Sequence, residues 1–232
     1  MELKNKNLIW ITYENQQGEL KTIEAKHCIV ASPKFIAKHI IYNLPKDQSI
    51  AMDSINYRAY VVANAIYNTP IKSPGFDVYK LEGELPENPM ALKPSNRSFS
   101  DVCFGNWANF DKSDCGIITI YKSLPYDGAR QFLFSPSAHD KHKNNLYNEI
   151  LAFSKSCGIN PEELKGIRMT RWGHSIPLAS KGMIASGNLE VMNRPIQNSI
   201  YFANQDNWVN PAFECSFQVA SEAALEILAQ YK

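Results

Sequence analysis

Ile200-Tyr201-Phe202-Ala203-Asn204-Gln205, followed by the stretch from Asn210 to Gln230, decides the fold of this chain. The first piece is a short apolar strand that ends at a polar pair. The second is a helix, because Phe213, Phe217, Ala220, Ala224, Ile227 and Leu228 recur near a 3.6-residue period. Asn210 has N-cap chemistry, and Pro211 suits the first helical position, where a missing N–H costs nothing. A strand that feeds a helix in this way aims backbone N–H groups and a partial positive charge at one spot. Such a spot favours a ligand that carries or develops negative charge.

The same alternation of strand and helix opens the chain. Asn7 to Tyr13 alternates, with Ile9, Ile11 and Tyr13 on one face. Asn15-Gln16-Gln17-Gly18 is a turn, and Glu19 to Glu24 returns as a second strand. His27-Cys28-Ile29-Val30-Ala31 reads as a buried central strand. Ser32 is placed to cap a helix with Pro33 at its first position, and Phe35, Ile36, His39 and Ile40 would form its apolar face until Leu44-Pro45 ends it. Yet nothing between Met1 and Lys46 contains G-x-G-x-x-G, the turn that receives a pyrophosphate in a dinucleotide-binding fold, and no P-loop occurs anywhere.

From Met52 to about Phe134 the texture changes. Tyr57 to Tyr67 reads as a long strand, and Pro70, Pro74, Pro86, Pro89 and Pro94 then interrupt the chain. Gly116 to Tyr121 is β-branched and strand-like. Gln131 to Phe134 is expected to pair with it as an antiparallel hairpin across Pro125-Tyr126-Asp127-Gly128. Asn144 to Cys157 is helical on the spacing of Leu146, Ile150, Leu151 and Phe153, with Gly158 as its C-terminal glycine. Gly166 to Trp172 is a strand, Ile176-Pro177 to Gly187 a loop, and Ser199 to Ala203 the last strand.

Composition narrows the function classes. A net charge of +1 without a long basic run argues against a nucleic-acid surface, which needs clustered Lys and Arg against phosphates. No stretch reaches the roughly 18 to 20 apolar residues that span a bilayer, and Met1 to Asn7 lacks a signal-peptide core, so a cytoplasmic protein is expected. Cys28, Cys103, Cys115, Cys157 and Cys215 are odd in number, irregularly spaced and without a C-x-x-C. They read as small buried hydrophobes rather than a disulfide or zinc framework.

Three blocks together resemble the C-terminal half of the flavin-dependent amine oxidase family, which includes phytoene-desaturase-like relatives. Lys26-His27-Cys28-Ile29-Val30-Ala31-Ser32-Pro33 is similar to that family's small apolar strand ending in Ala-x-Pro, after a hairpin with a turn like Gln17-Gly18. Arg171-Trp172-Gly173-His174-Ser175-Ile176-Pro177, with Gly182 beyond it, resembles the Arg-Trp…Pro…Gly segment that leaves the substrate domain. The stretch from Ile200 to Gln205, then Phe213 to Ala224, resembles the F-A-G-[DE] strand end and the E-G-A-x-x-S-G-x-x-A-A helix.

The resemblance implies FAD as cofactor, with the acidic residue on the ribityl chain and the helix start facing the pyrimidine end of the ring. It sets Asn204 and Gln205 at the Gly-[DE] position, Asp206 as the carboxylate if the register slips by one, and Glu214 at the Glu of E-G-A. Trp208, Phe213 and Cys215 complete the expected cofactor-binding set. Cys215 and Ala220 stand where the family has glycines. These departures, with the absent glycine-rich turn, imply weak or no FAD binding by this chain alone. They also imply completion by an N-terminal FAD-binding half or a partner chain.

For a small-molecule substrate the expected residues are Trp172, His174, Trp107 and Tyr121, with Phe110 and Tyr126 in the same aromatic wall. Each also has a plain structural reading, as sheet core or ordinary polar surface. Cys215 as a thiol nucleophile lacks any local signature. His139, Asp140 and His142 read either as a metal cluster or as a solvated helix terminus. The lysine that many members place near flavin N5 is not located here, Lys93 being a weak candidate, and no catalytic residue is assigned.

The expected fold is therefore mixed α/β. Residues 1–51 and 181–232 would form a partial Rossmann-like FAD domain, and 52–180 a substrate domain on an antiparallel sheet with flanking helices. The expected function is the C-terminal portion of an FAD-dependent oxidoreductase, with hydride transfer from a C–N or C–C bond. The alternative is a degenerate, non-enzymatic module for a small ligand or a protein. An incomplete sheet alone would favour self-association.

Overall fold

The computed structural model describes residues 1–5, 8–72, 75–80, 99–105, 114–124 and 128–231. The chain forms two compact units, Met1–Asn56 with Pro177–Lys232, and Tyr57–Ile176.

The first unit holds an antiparallel sheet, a parallel pair of strands and four helices. Strands β1 (Glu2–Asn5), β2 (Leu8–Glu14) and β3 (Leu20–Ala25) pair in that order. The β2–β3 turn is closed by the Asn15 side chain, which accepts from the N–H groups of Gln17 and Glu19. Strand β4 (Cys28–Val30) runs parallel to the distant β10 (Ile200–Phe202), with Cys28 opposite Ile200 and Val30 opposite Phe202. All three residues of β10 are buried, but only Val30 of β4 is, and Ile29 is exposed. The expected central strand is thus an edge here, because β10 is its one partner among the described residues.

Helix α1 (Lys34–Ile40) follows β4, and its N-cap position is Pro33, without a side-chain cap from Ser32. Ser32 fails as a cap because Asp206 supplies the acceptor from across the unit. The expected apolar face is turned outward too: Ile36 and Ile40 are exposed, while Lys34 and Ala37 are buried. A helix that the sequence did not announce, α2 (Lys46–Asp53), comes next and buries Gln48, Ala51 and Met52. Its only apolar periodicity is that short run, too little to stand out.

Helix α5 (Asn188–Asn193) precedes β10, and α6 (Phe213–Ala229) closes the unit. Helix α6 starts later than expected, with Ala212 rather than Asn210 as its N-cap residue. Its buried face is Cys215, Val219 and Ala223. The expected face is the outer one, where Phe213, Phe217 and Leu228 are exposed. Both stripes fit a helical period. The small side chains were chosen for the inside because they let the helix axis approach β10 closely.

The second unit is a five-stranded antiparallel sheet in the order β6-β7-β8-β5-β9. Its strands are β5 (Asn56–Tyr67), β6 (Asp77–Tyr79), β7 (Asp101–Phe104), β8 (Gly116–Leu124) and β9 (Leu164–Leu178). One face carries the core: Ala59, Val61, Ala63 and Ala65 of β5, Ile118 and Ile120 of β8, Val102 and Phe104 of β7. Strict alternation puts Tyr60, Val62 and Asn64 on the other face.

Helices α3 (Ala129–Phe134) and α4 (Pro136–Ser156) cover the core face. The hairpin expected at Gln131–Phe134 is a helix instead. Ala129 and Leu133, four residues apart, are both buried, which is helical spacing and not alternation. Helix α4 begins two turns before the expected Asn144, buries Leu146, Ile150 and Phe153, and ends at Gly158, whose φ of 71° meets the left-handed requirement there. Strand β9 runs on to Leu178, taking in the first three residues of the segment read as a loop, while residues 179–187 form no strand or helix. Trp107, Phe110, Tyr126 and Lys93 lie outside the described residues.

Candidate functional site

The carboxyl ends of β4 and β10 converge on one turn. In open α/β sheets this end of the strands is where ligands bind. The Val30 carbonyl accepts from the Ala203 N–H at 3.1 Å, and Asn204 Nδ2 donates to the Ala31 carbonyl at 3.0 Å. The Asn204 carbonyl side-chain oxygen accepts from the Asp206 N–H at 3.2 Å, starting a 3-10 turn over Gln205–Asn207. Asn204 therefore ties the two strand ends together through its amide nitrogen and starts the turn through its amide oxygen.

Below the turn lies a buried polar network. Asp206 is fully buried, and its Oδ2 accepts from the Lys34 backbone N–H at 2.8 Å. The Lys34 side chain is fully buried as well. Its Nζ donates to Asn207 Oδ1 at 2.9 Å and lies 4.3 Å from the centre of the Phe202 ring. Asn207 Nδ2 donates to the Phe202 carbonyl, and Asn193 Nδ2 to the Asn207 carbonyl. Burial pushes the Lys34 ammonium down to about 7, and the Asp206 carboxylate pulls against that shift. Nothing at sequence level marks Lys34, and only the fold buries it.

Val209 closes the turn at φ 50°, although it is β-branched and buried. A β-branched residue in the left-handed region costs of order 1–3 kcal/mol, and such strain concentrates at functional turns. Above the network, Trp208 is exposed, as are Phe213 and Glu214 at the start of α6, while Cys215 is buried against the unit. Gln205 is half-buried. A cavity of about 170 Å³ opens beside the turn, lined by Tyr201, Phe202, Asn207, Trp208, Val219 and Glu222 among others. The fold thus brings Asn204, Gln205, Asp206 and Trp208 into one turn, next to the first turn of α6.

The residues expected at a substrate stand in the other unit. Trp172 is exposed on β9 and stacks on Tyr60 with centroids 6.5 Å apart. Tyr60 in turn stacks on Tyr121 at 6.2 Å. His174 meets Tyr57 edge-on at 5.8 Å, and burial together with Arg130 holds its imidazole below the usual histidine range. Tyr60 was absent from the expected set, and it is the ring that joins the other two. Its place in a long alternating strand was the available signal.

His139 Nδ1 lies 3.0 Å from Asp140 Oδ1, but His142, three residues after His139 in α4, is buried. Among the described residues no group of three His, Cys, Asp or Glu side chains is placed to hold a metal ion. Among them, too, no helix is long and apolar enough to cross a membrane.

No family model matches the chain. In sequence it is similar to the oxidoreductase PigB of Serratia sp. (strain ATCC 39006), 25% identical over 215 residues, which is 92% of this chain and 31% of that protein. In structure it is similar to a variant of putrescine oxidase redesigned in its cofactor binding, at a TM-score of 0.64 and 14% identity, over 99% of this chain and 47% of that one. It is also similar to cyclohexylamine oxidase from Brevibacterium oxydans IH-35A, at a TM-score of 0.53 and 11% identity, over 95% of this chain and 47% of that one. The chain spans about a third of its curated relative and about half of these oxidases. In sequence it resembles part of an oxidoreductase and in fold part of amine oxidases, which fits a C-terminal portion of such a protein.

Proposed function

We propose that this chain is the C-terminal portion of an FAD-dependent oxidoreductase of the amine oxidase type, acting on a C–N or C–C bond of a small molecule. The observation that carries the reading is the parallel pair of β4 and β10, whose carboxyl ends close on a strained turn and on the start of α6. Flavin, when bound, accepts the hydride equivalent that leaves the substrate carbon.

The residues present fit one side of that cofactor. Gln205 and Trp208 on the turn and Phe213 and Glu214 at the helix start are the groups that would face it. Asp206 would not hold the ribityl chain, because its carboxylate is buried and caps α1. The reading assigns the amide of Gln205 to that place. The pyrophosphate would need the glycine-rich turn that this sequence lacks, so a further N-terminal FAD-binding half or a partner chain completes the domain. The exposed stripe of Phe213, Phe217 and Leu228 and the exposed Ile29 of β4 are the surfaces that such a half would cover. In this reading Tyr57–Ile176 is the substrate-binding unit.

A second reading has one observation in its favour. Asn204 bonds the Ala31 carbonyl and the Asp206 N–H, and Asp206 accepts from the Lys34 N–H, so these polar groups are engaged within the protein, as expected of a non-enzymatic relative that no longer holds flavin. One experiment separates the two. The chain is purified alone and together with the product of an adjacent upstream reading frame, and each sample is titrated with FAD while its visible absorbance is recorded. A yellow complex in the paired sample supports the oxidoreductase, and colourless samples that bind no FAD in either case exclude it.

A further inference from the structure

Two connections of the first unit enclose a cavity of about 350 Å³, larger than the one beside the Asn204 turn. One runs from α1 to α2 and the other from α5 to β10, and Ile200, the first residue of β10, is part of its wall. The cavity thus lies at the amino end of β10, whereas the turn of the proposed cofactor wall follows the carboxyl end. Its size is that of a small-molecule pocket.

The two connections are locked to each other. Gln48 Nε2 donates to the Arg194 carbonyl at 2.7 Å, and Arg194 Nη2 to Asp47 Oδ2 at 2.7 Å. Asn43 and Gln197, which both line the cavity, hold left-handed backbone at φ 57° and 48°. Few residues other than glycine adopt that region, and strain of this kind concentrates at ligand sites.

The wall has a definite chemistry. Leu3, Ile41, Ile196 and Ile200 supply its apolar part. Arg194 is the one charged residue among those that line it, and Asp47 neutralises it. A charged ligand would therefore leave water without gaining a counter-charge. Gln48 is 1% exposed. With its Nε2 engaged on Arg194, the polar atom it can offer a ligand is Oε1, which accepts no hydrogen bond from any described residue. A buried amide oxygen without a donor is costly, and a ligand N–H removes that cost. The side chains of Asn43 and Gln197 are exposed, and each amide can donate to a ligand carbonyl.

We propose that this cavity is a second small-molecule site, selective for a neutral carboxamide or lactam on a flat apolar body. The ligand N–H donates to Gln48 Oε1, its carbonyl accepts from the amide of Asn43 or Gln197, and its body lies on Ile41, Ile196 and Ile200. An acid or an amine of the same shape is refused, because the Arg194–Asp47 pair is already matched. The inference goes beyond the flavin reading and does not rest on it.

The test titrates the full chain, labelled with nitrogen-15, with four flat probes of similar shape: benzamide, N,N-dimethylbenzamide, benzoate, and benzamidine, a cation at neutral pH. The protein amide resonances report both affinity and place. Benzamide should shift residues of the two connections. It should bind about three- to tenfold more tightly than its dimethyl analogue, the size expected of one neutral hydrogen bond. Benzoate and benzamidine should bind about tenfold or more weakly than benzamide. Gln48→Met keeps the side-chain length and removes the acceptor, so it should bring benzamide down to the affinity of the dimethyl analogue. That variant also releases the Arg194 carbonyl, and if it fails to fold, the four probes on the unaltered chain decide alone. No shift with benzamide at its solubility limit, shifts confined to other residues, a charged probe that binds as tightly, or a dimethyl analogue that binds equally well would overturn the proposal. Benzamide bound here by a chain that takes up no FAD supports the site. A yellow complex that binds no benzamide overturns this site alone and leaves the oxidoreductase reading intact.

Discussion

Lys34, the first residue of α1, donates its backbone N–H to Asp206 Oδ2 at 2.8 Å across 172 positions of sequence. One carboxylate thereby caps a helix and faces a buried lysine. It also locks the turn after β10 to the helix after β4, which joins the two halves of the proposed cofactor wall. A cap supplied at this range does for α1 what Ser32 does not.

Asp206→Ala should therefore act on α1 before it acts on anything else. Loss of a charged acceptor from a buried N–H costs about 1.5–3 kcal/mol. The expected outcome is faster hydrogen exchange of the α1 amides and a lower urea midpoint for the first unit. Unchanged protection across Lys34–Ile40 would mean that the cap contributes nothing.

The buried lysine predicts a pH dependence of definite sign. Lys34 sits at about 7 in the folded chain against 10.5 unfolded. Between those values the unfolded chain binds the extra proton, so stability rises with pH. The increment is complete above the unfolded value and is lost as pH falls to about 7. The slope is on the order of 1 kcal/mol per pH unit. It is best read from pH 7 to 8.5, below the range in which Cys28 and Tyr201, both raised by burial, begin to titrate. Lys34→Met should flatten the denaturation midpoint over that interval.

The outer stripe of α6 separates folding from association. Phe213 is 79% exposed and Phe217 65%. Replacing both by Asp should leave the unfolding free energy within about 0.5 kcal/mol per site, as for other surface changes. Self-association, followed by sedimentation velocity, should fall, and so should complex formation with any N-terminal half. A large loss of stability instead would place these rings in the core of the unit.

In the second unit, Gly116 is the position most sensitive to a single methyl group. A Cβ there would lie 2.5 Å from Ile71 Cγ1 and 2.8 Å from the Thr69 carbonyl oxygen. Gly116→Ala should destabilise the unit by about 1–3 kcal/mol through overpacking. Thermal unfolding with near-ultraviolet circular dichroism checks it. Gly166→Ala, where a Cβ meets nothing within 4 Å, serves as the control.

Short-range chemistry was legible before any coordinates. The β-branched run of Gly116–Tyr121 and the texture of Tyr57–Tyr67 declared strands, and the Leu146, Ile150, Phe153 spacing declared α4, because each signal lies within a few residues and is set by the local geometry of strand or helix. The order of the apolar strand, the Arg-Trp segment and the final strand and helix was enough for the likeness to amine oxidases.

What the sequence left open has a common cause, namely choices made by partners far along the chain. Helix α6 carries two apolar stripes, and only the closeness of β10 selects Cys215, Val219 and Ala223 over the larger Phe213 and Phe217. Ser32 looks like a cap until Asp206 arrives from the other end of the chain. Nothing singles out Lys34 until the fold buries it beside Phe202 and Asn207. Tyr60 joins Tyr121 and Trp172 only because β8, β5 and β9 lie side by side. The sequence by itself determined the strongly periodic elements, though not α2 or α3, and the family likeness, through periodicity and motif order. The tertiary structure alone decided which faces are buried and which acid is sealed inside the turn, because burial and charge pairing depend on neighbours that sequence distance conceals.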